Sequence, residues 1–241
     1  MHLGFTEQET REIGRRTPPG APARPQDRAN GTVLRSPHAA PGIPKLLEQA
    51  HRRTYPAKTS IIRQGDPSYD LYYIVKGSVT VLIEDEQGHE LILAYLNAGE
   101  FFGELGLFQD EPCRSAQVRT RSQCEVAQIG FEKMRALTLT TPELTLAIAN
   151  QLANRLRKMN LKMGDLAFTD VSGRIARAVL ELCREPDAMT HPDGMQIRVT
   201  RQELGRIVGC SREMVGRVLK NLEDQHLLSV SGKTIVVFGV R

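Results

Sequence analysis

The sequence predicts an α+β protein in which a β jelly roll is followed by a long helix and a winged helix-turn-helix. In the first half of the chain, short apolar segments alternate with glycine-containing turns. The spacing of apolar residues then changes from every second residue to every third and fourth. Two short helical segments and a hairpin pattern end the chain. Together these observations predict this order of elements.

The composition is typical of a globular protein and excludes several classes. Of the 241 residues, 40% are hydrophobic and 25% are charged, which are ordinary fractions. No apolar run reaches the roughly 18 residues that a membrane span needs, and the N-terminus lacks the pattern of a secretory signal. The four cysteines form no CxxC pair. We therefore predict free thiols, no metal site and a location in the cytoplasm.

Residues 1–44 differ from the rest of the chain. They hold seven of the thirteen prolines, and Phe5 is their only aromatic residue. Proline interrupts helices and strand ladders, and a segment of this composition cannot bury enough apolar surface to offset the cost of ordering. We predict a disordered extension over 1–44. A transit peptide and a start codon assigned too early are the alternatives.

The range 45–141 has the pattern of an antiparallel barrel or jelly roll. Its strand-like segments are 60–63, 71–75, 79–84, 91–96, 116–119 and 124–129. Strands at about ten-residue spacing with glycine-containing turns are typical of such folds.

The range 142–168 predicts one helix of about 25 residues. Its apolar stripe consists of Ile148, Leu152, Leu156, Met159, Met163 and Leu166. Pro142 and Glu143 are suited to the first turn of a helix, where proline is tolerated and an acidic group faces the positive end of the dipole. Such a helix either pairs with its copy in a homodimer or packs as an ordinary core helix, and we favour pairing.

The range 169–241 predicts a winged helix-turn-helix that binds DNA. Helical segments at 202–208 and 212–220 flank the break Gly209-Cys210-Ser211, and 227–238 has a hairpin pattern. Pro186 and the segment Pro192-Asp193-Gly194 predict a loop. The alternative to DNA binding is a solvated charged face on an amphipathic helix.

Basic residues concentrate in this second part of the chain. Between Arg198 and Lys220, six basic and two acidic residues give a local charge of +4. Arginine can bind guanine with two hydrogen bonds, and glutamate can accept one from cytosine. We therefore expect Arg212, Glu213 and Arg217 to contact bases. The full set of predicted DNA contacts is Thr200, Arg201, Ser211, Arg212, Glu213, Arg217 and Lys220.

A second candidate site combines residues 101–108 with Arg114 and Ser115. Glycines let backbone N–H groups face a ligand. Glu104 has apolar neighbours and needs hydrogen-bond donors such as ribose hydroxyls, whereas arginine suits a phosphate. The spacing predicts either a sugar-phosphate site or a structural ion pair between Glu104 and Arg114. The candidate residues are Gly103, Glu104, Leu105, Arg114 and Ser115.

Several stretches resemble one known family. They are residues 72–79, Phe-Gly-Glu-Leu-Gly-Leu (102–107) with Arg-Ser-Ala (114–116), 186–197, 208–217 and 232–234. The chain from about His51 to Arg241 resembles the cyclic AMP receptor protein (catabolite activator protein) family of bacterial transcription regulators, including its pseudomonad virulence-factor relative. The resemblance implies a cyclic-nucleotide-binding jelly roll, a dimerisation helix and a winged helix-turn-helix. It also implies a homodimeric activator controlled by cyclic AMP, and no enzymatic activity.

The resemblance also implies roles for individual residues. Gly103, Glu104, Arg114 and Ser115 correspond to contacts with the cyclic phosphate and ribose. The predicted helix 212–220 corresponds to the family's recognition helix. That helix reads a palindrome with TGTGA-like half-sites in double-stranded DNA. The surface that contacts RNA polymerase corresponds to Met189, Thr190, His191, Asp193 and Gly194. Lesser polymerase-contacting patches correspond to Asp85, Glu86 and Glu90, and separately to His51 and Lys133.

Two adjacent residues depart from the family. Met159 and Asn160 stand where the family presents a threonine–serine or threonine–threonine pair to adenine, and a thioether cannot donate a hydrogen bond. We expect both to line the ligand site, with cyclic AMP binding retained and base selectivity weakened. Arg53 and Gln128 also depart, in the lesser patches. The alternatives are a regulator that needs no nucleotide, one that binds cyclic di-GMP, and the regulatory module of an enzyme.

Overall fold

A computed structural model of the protein describes residues 41–108 and 113–240. Most of the predicted extension 1–44 lies outside the described residues. Helix α1 (Ile43–Gln49) begins within the last two residues of that range, and buries Ile43 and Leu46. Within the described ranges, no helix is long and apolar enough to span a membrane.

The first part of the fold is a pair of antiparallel sheets, as predicted. Their order is β1-β8-β3-β6 in one sheet and β2-β7-β4-β5 in the other. The strands are β1 (His51–Tyr55), β2 (Ser60–Ile62), β3 (Asp70–Lys76), β4 (Ser78–Glu84), β5 (Glu90–Asn97), β6 (Phe101–Phe102), β7 (Gln117–Thr120) and β8 (Cys124–Gly130). Strands β1 and β6 were not predicted, because β1 is exposed and polar and β6 has only two residues.

Both faces of the first sheet are covered, which explains the nearly continuous apolar sequence of β3. Successive side chains of a strand point to opposite faces. Tyr72 and Ile74 pack between the two sheets, whereas Leu71 and Tyr73 pack against a cluster that includes residues of the helices. Phe101 and Phe102 of β6 divide between the two clusters in the same way.

Two helices follow the sheets. They are α2 (Phe131–Thr140), which was not predicted, and α3 (Glu143–Phe168), which confirms the single long helix expected over 142–168. Leu144 and Ile148 of α3 are buried. Leu156, Met163 and Leu166 lie further along the helix and are exposed. The apolar stripe therefore leaves the core half-way along α3 and continues over its surface.

The remainder of the chain has its own apolar core and forms the winged helix-turn-helix. Its elements are α4 (Val171–Leu182), β9 (Met189–His191), β10 (Gly194–Arg198), α5 (Arg201–Val208), α6 (Arg212–Asp224), β11 (Leu228–Ser231) and β12 (Thr234–Phe238). The four strands form one sheet in the order β11-β12-β10-β9. The segment predicted as a loop around 192–194 is the turn of a short hairpin, β9–β10.

Local chemistry sets the boundaries of α5 and α6. The Thr200 hydroxyl accepts a hydrogen bond from the Glu203 amide at 3.0 Å, and the Ser211 hydroxyl accepts one from the Met214 amide at 3.2 Å. Such caps satisfy amides that a helix start leaves free. Gly209 ends α5 with a φ of 74°, a left-handed conformation that glycine adopts without strain. Ser211, the last residue of the predicted break between the two helices, therefore caps α6.

Candidate ligand cleft and nucleic-acid interface

The candidate ligand cleft lies where β6 enters a short 3₁₀ turn, Glu104–Phe108. Its cavity volume is about 80 Å³, and Gly103, Glu104, Leu105, Arg114 and Ser115 all line it. The structure thus brings these five predicted residues together. Residues 109–112, which connect the turn to Arg114, lie outside the described residues.

Gly103 allows Arg114 to approach the turn. Gly103 has a φ of +75°, and a Cβ placed there would lie 2.5 Å from Nη1 of Arg114. Arg114 donates hydrogen bonds to the carbonyl oxygens of Gly103 at 3.2 Å and of Asp70 at 2.9 Å. Burial lowers the pKa of the Arg114 guanidinium, while nearby Tyr72 and Asp70 favour its charged form. Arg114 is therefore a buried cation with neutral hydrogen-bond partners.

The structural ion pair considered between Glu104 and Arg114 is not the one that forms. Glu104 is buried and pairs with Arg155 of α3, whose Nη1 lies 2.7 Å from the Glu104 Oε1 atom. Arg155 also donates to the carbonyl oxygen of Phe101. Because Glu104 is neutralised from the helix, Arg114 keeps its charge for an anion in the cleft.

Arg155 lines the cleft but was not predicted there. The sequence spacing indicates which face of α3 carries Arg155. It follows Ile148 by seven residues and Leu152 by three, so it lies on the face that packs toward the sheets. The local sequence does not show which partner Arg155 contacts, because Glu104 lies 51 residues away along the chain.

Met159 and Asn160 are not among the residues that line this cleft within one chain; their predicted contact with the ligand involves the paired α3 helices of a dimer and stays a prediction. Both are exposed. Met159 lies one helical turn beyond Arg155, where it lines a separate groove with Leu91 of β5 and with Met163. Met159 thus belongs to the exposed part of the apolar stripe, and Asn160 follows it on the helix surface.

The predicted base-contacting residues project from α6 into solvent. Arg212, Glu213, Arg217 and Lys220 are exposed, whereas Val215, Val218 and Leu219 of the same helix are buried. Within the described residues, these four charged side chains form no ion pair or side-chain hydrogen bond. Arg201 is also exposed, and Thr200 and Ser211 lie at the starts of α5 and α6 as caps. The charged face is therefore free to contact DNA.

The residues predicted to contact RNA polymerase form the β9–β10 hairpin. Met189, Thr190 and Asp193 are exposed and His191 is partly buried. The Asp193 amide donates a hydrogen bond to the His191 Nδ1 atom at 3.3 Å. Gly194 has a structural reason to be glycine, because a Cβ there would lie 2.0 Å from the carbonyl oxygen of Val237. In the lesser patches, His51 and Lys133 line one surface cleft with Gln128.

Glu90 does not belong to an exposed patch with Asp85 and Glu86, contrary to the expectation. Asp85 and Glu86 are exposed in the β4–β5 turn. The Glu90 side chain is only 14% exposed and lies 2.5 Å from Arg119 and 2.9 Å from Arg206 of α5. Glu90 of β5 thus binds two arginines, one from the same sheet and one from the helix-turn-helix.

Further polar contacts join the sheets to the C-terminal part. The Tyr95 hydroxyl donates to the Glu203 carboxylate at 2.6 Å, and burial together with the charge of Glu203 raises the pKa of Tyr95. The Arg121 guanidinium lies 3.9 Å from the centroid of the Tyr95 ring and pairs with Asp187 at 2.9 Å. We call these contacts, with the Glu90–Arg206 pair, the polar joint.

The described residues contain no group of three or more histidine, cysteine, aspartate or glutamate side chains that could hold a metal ion. The cysteines in the described ranges are free thiols.

Comparisons with known proteins agree with this architecture. The cyclic nucleotide-binding domain family matches residues 52–141, and the Crp-like helix-turn-helix domain family matches residues 173–238. The cAMP-activated global transcriptional regulator Vfr of Pseudomonas aeruginosa is 59% identical over 202 residues, which cover 83% of this chain and 94% of Vfr. The cAMP-activated global transcriptional regulator CRP of Salmonella typhimurium is 55% identical over 209 residues, which cover 87% of this chain and 100% of CRP.

A solved structure extends the comparison. The c-di-GMP-responsive global regulator CLP of Xanthomonas campestris superposes with a TM-score of 0.77 at 47% identity, covering 82% of this chain and 98% of CLP. These relatives are transcription regulators rather than enzymes, and their similarity confirms the resemblance found in the sequence. The chain belongs to the CRP family of transcriptional regulators.

Proposed function

We propose that this protein is a cytoplasmic, homodimeric transcription activator that binds cyclic AMP in the cleft at Glu104 and Arg114. The charge balance of that cleft carries the proposal. Among the described residues that line it, Arg114, Arg155 and Glu104 are the charged ones, which leaves a net charge of +1. Cyclic AMP carries one phosphodiester charge and so matches this balance. The cyclic AMP-activated relatives Vfr and CRP support the same ligand.

The lining residues suit both parts of a cyclic nucleotide. Arg114 and the exposed hydroxyl of Ser115 would hold the phosphate, since the guanidinium charge is not neutralised by a protein carboxylate. Glu104 would accept hydrogen bonds from ribose hydroxyls while it stays paired with Arg155. Gly103 and Leu105 would shape the turn around the ligand. Met159 and Asn160 would contribute where two α3 helices pair in the dimer, with weaker selectivity for the base.

The exposed face of α6 would read DNA. Arg212, Glu213 and Arg217 would contact bases, and Thr200, Arg201, Ser211 and Lys220 would contact phosphates, which position the protein without specifying sequence. A twofold dimer would prefer a palindrome with TGTGA-like half-sites about 34 Å apart. The β9–β10 hairpin, with Met189, Thr190, His191, Asp193 and Gly194, would contact RNA polymerase.

We also propose a division of the chain into an extension at 1–44, a nucleotide-binding jelly roll at 45–141, a dimerisation helix at 142–168 and a DNA-binding domain at 169–241. The separate apolar clusters of the jelly roll and of the winged helix-turn-helix support the division.

Calorimetric titration of the full-length protein with cyclic AMP, cyclic GMP and cyclic di-GMP tests the ligand. We expect cyclic AMP to bind most tightly. Arg114→Met should weaken binding by about 10–100-fold, because a hydrogen bond to a charged group contributes about 1.5–3 kcal/mol. Arg63→Met is the matched control, since Arg63 is exposed and lies outside the cleft. Equal binding by both variants would refute the assignment of the cleft.

Cyclic di-GMP is the second candidate ligand, favoured by the 47% identity to the c-di-GMP-responsive regulator CLP. It carries two phosphodiester charges, whereas the cleft has a net charge of +1. Tighter binding of cyclic di-GMP than of cyclic AMP in the same titration would show that cyclic di-GMP is the ligand. Operator binding without any nucleotide would support the ligand-independent alternative, and hydrolysis of cyclic AMP would support an enzyme.

A further inference from the structure

The edge of the first sheet is completed by a side chain of α3. Strand β6 is the last strand of that sheet and pairs with β3 only at Phe101 and Phe102. The Phe101 amide donates to the Gln151 Oε1 atom at 2.9 Å, and the Phe101 carbonyl oxygen accepts from the Gln151 Nε2 atom at 2.7 Å. The side-chain amide thus binds both polar groups of one buried residue, as a neighbouring strand would.

Gln151 and Arg155 act on the same peptide group. They lie four residues apart and so face the same side of α3. Both donate to the Phe101 carbonyl oxygen, and Arg155 continues to Glu104 at 2.7 Å. Phe101 and Glu104 are only three residues apart, on either side of Gly103. The position of Phe101 against α3 therefore determines where Arg155 meets the Glu104 carboxylate.

We propose that Gln151 is a positioning residue for the ligand cleft, and the proposal rests on the proposed binding of cyclic AMP there. Gln151 holds β6 against α3 and so fixes the Arg155–Glu104 pair that faces the ribose. Loss of the Gln151 amide leaves the Phe101 amide without a partner and leaves Arg155 as the remaining donor to the Phe101 carbonyl oxygen. Arg155 then meets Glu104 less well, and the cleft binds the ribose more weakly.

Gln151→Met tests this role, because methionine has a similar length and cannot replace either hydrogen bond. We expect cyclic AMP to bind about tenfold more weakly by calorimetry, which corresponds to about 1.4 kcal/mol. Asn150→Met is the matched control on the adjacent exposed residue and should bind as the wild type does. Thermal unfolding of each ligand-free protein measures whether the fold is intact.

A double-mutant cycle separates positioning from general loss of structure. If Gln151 acts through Arg155, Gln151→Met should change affinity less than twofold in an Arg155→Lys background, because lysine cannot bridge Phe101 and Glu104 as a guanidinium does. If Gln151→Met does not fold, Gln151→Glu serves instead. It keeps the acceptor for the Phe101 amide but cannot donate to the Phe101 carbonyl oxygen, and its charge competes with Glu104 for Arg155, so it should also weaken binding by about tenfold.

The outcomes distinguish this inference from the proposed function. Absence of cyclic AMP binding by the wild-type protein would refute the proposed ligand. Wild-type binding with unchanged affinity in the Gln151 variants would refute the role of Gln151 alone. Equal losses in the wild-type and Arg155→Lys backgrounds would show that Gln151 acts independently of Arg155, which also contradicts the inference.

Discussion

Arg114 and Arg155 both lie in the candidate cleft, but their partners differ. Arg155 is paired with the Glu104 carboxylate, whereas Arg114 is bonded to two carbonyl oxygens. Carbonyl groups satisfy the hydrogen bonds of a guanidinium without removing its charge. The two arginines therefore have separate tasks in the proposed site: Arg155 pairs with the Glu104 carboxylate, and we expect Arg114 to attract the anion.

The Arg217 side chain provides a test of base reading. Arg217→Ala should cost about 1–3 kcal/mol in binding to a TGTGA-like palindrome and little in binding to random DNA, because a bidentate contact to guanine is sequence-specific. Lys220→Ala is the matched comparison and should weaken binding to both sequences alike. Fluorescence anisotropy with both duplexes measures the effect. Equal losses for Arg217→Ala on the two duplexes would make Arg217 a phosphate contact.

A short window of sequence was sufficient to bring Glu104 and Arg114 into one candidate site, because a glycine turn and charges among apolar residues are visible there, and the resemblance added a role for Ser115. It was not sufficient to find Arg155 and Gln151. Their partners, Glu104 and Phe101, lie about fifty residues away, and only the packing of α3 against β6 brings them together. Met159 and Asn160 were placed by resemblance, and a single chain does not place them at the cleft.

At the scale of elements, α3 has two environments. Its first turns are buried against the jelly roll, and its later apolar residues are exposed, with Leu156 and Met163 each 64% accessible. A helix stripe that leaves the core in this way is suited to pairing with a second copy. Because Met159 lies in that stripe, we expect it to link dimer pairing to the control of DNA binding.

Met159→Thr should lower operator binding without ligand and increase the stimulation by cyclic AMP. Burying the thioether in both subunits could add about 1–3 kcal/mol to helix pairing, and 1.4 kcal/mol changes a two-state ratio about tenfold. Leu161→Thr is a suitable control, because Leu161 is exposed and lies on another face of the helix. If the wild type does not bind operator without nucleotide and Met159→Thr changes nothing, this explanation is wrong.

The β9–β10 hairpin allows transcription to be tested apart from DNA binding. His191→Leu should leave operator affinity unchanged and lower transcription from an activated promoter, because His191 is the last residue of β9 and does not belong to α6, the helix proposed to read bases. Binding assays and in vitro transcription with the same promoter measure the two effects. A parallel fall in DNA affinity would mean that the hairpin has a structural role.

Clear apolar spacing, rather than length, decided which elements were predictable from the sequence. The strands from β2 to β5, the helix α3 and the β11–β12 hairpin follow directly from apolar spacing. Strand β1 was missed because the burial of its residues does not alternate, and β9 was missed because its three residues pair only with β10. In both cases the partner strand, rather than the local sequence, stabilises the element.

At the scale of the whole molecule, the polar joint connects two parts that have separate apolar cores. Its contacts are a phenol–carboxylate hydrogen bond, Tyr95–Glu203, and the ion pairs Glu90–Arg206 and Arg121–Asp187. Glu203 and Arg206 both belong to α5, the first helix of the helix-turn-helix. The joint therefore holds α5, the helix that packs against α6.

Tyr95→Phe should loosen α5 without disturbing either core. The phenol donates a partly buried hydrogen bond to a charged group, and such bonds contribute about 1.5–3 kcal/mol. Hydrogen exchange of the α5 amides should therefore become faster by about tenfold or more. Tyr69→Phe is the matched control, because Tyr69 is 68% exposed and lies outside the joint. Unchanged exchange in Tyr95→Phe would show that the phenol contributes nothing to the joint.

The polar joint and the DNA-contacting face respond differently to dissolved ions. Salt competes with Lys and Arg for phosphates and weakens DNA affinity. In the joint, the paired charges lie 2.9 Å apart and one member of each pair is largely buried, and such pairs are screened much less than exposed charges. A rise in ionic strength would therefore release the protein from DNA while its two halves stay joined.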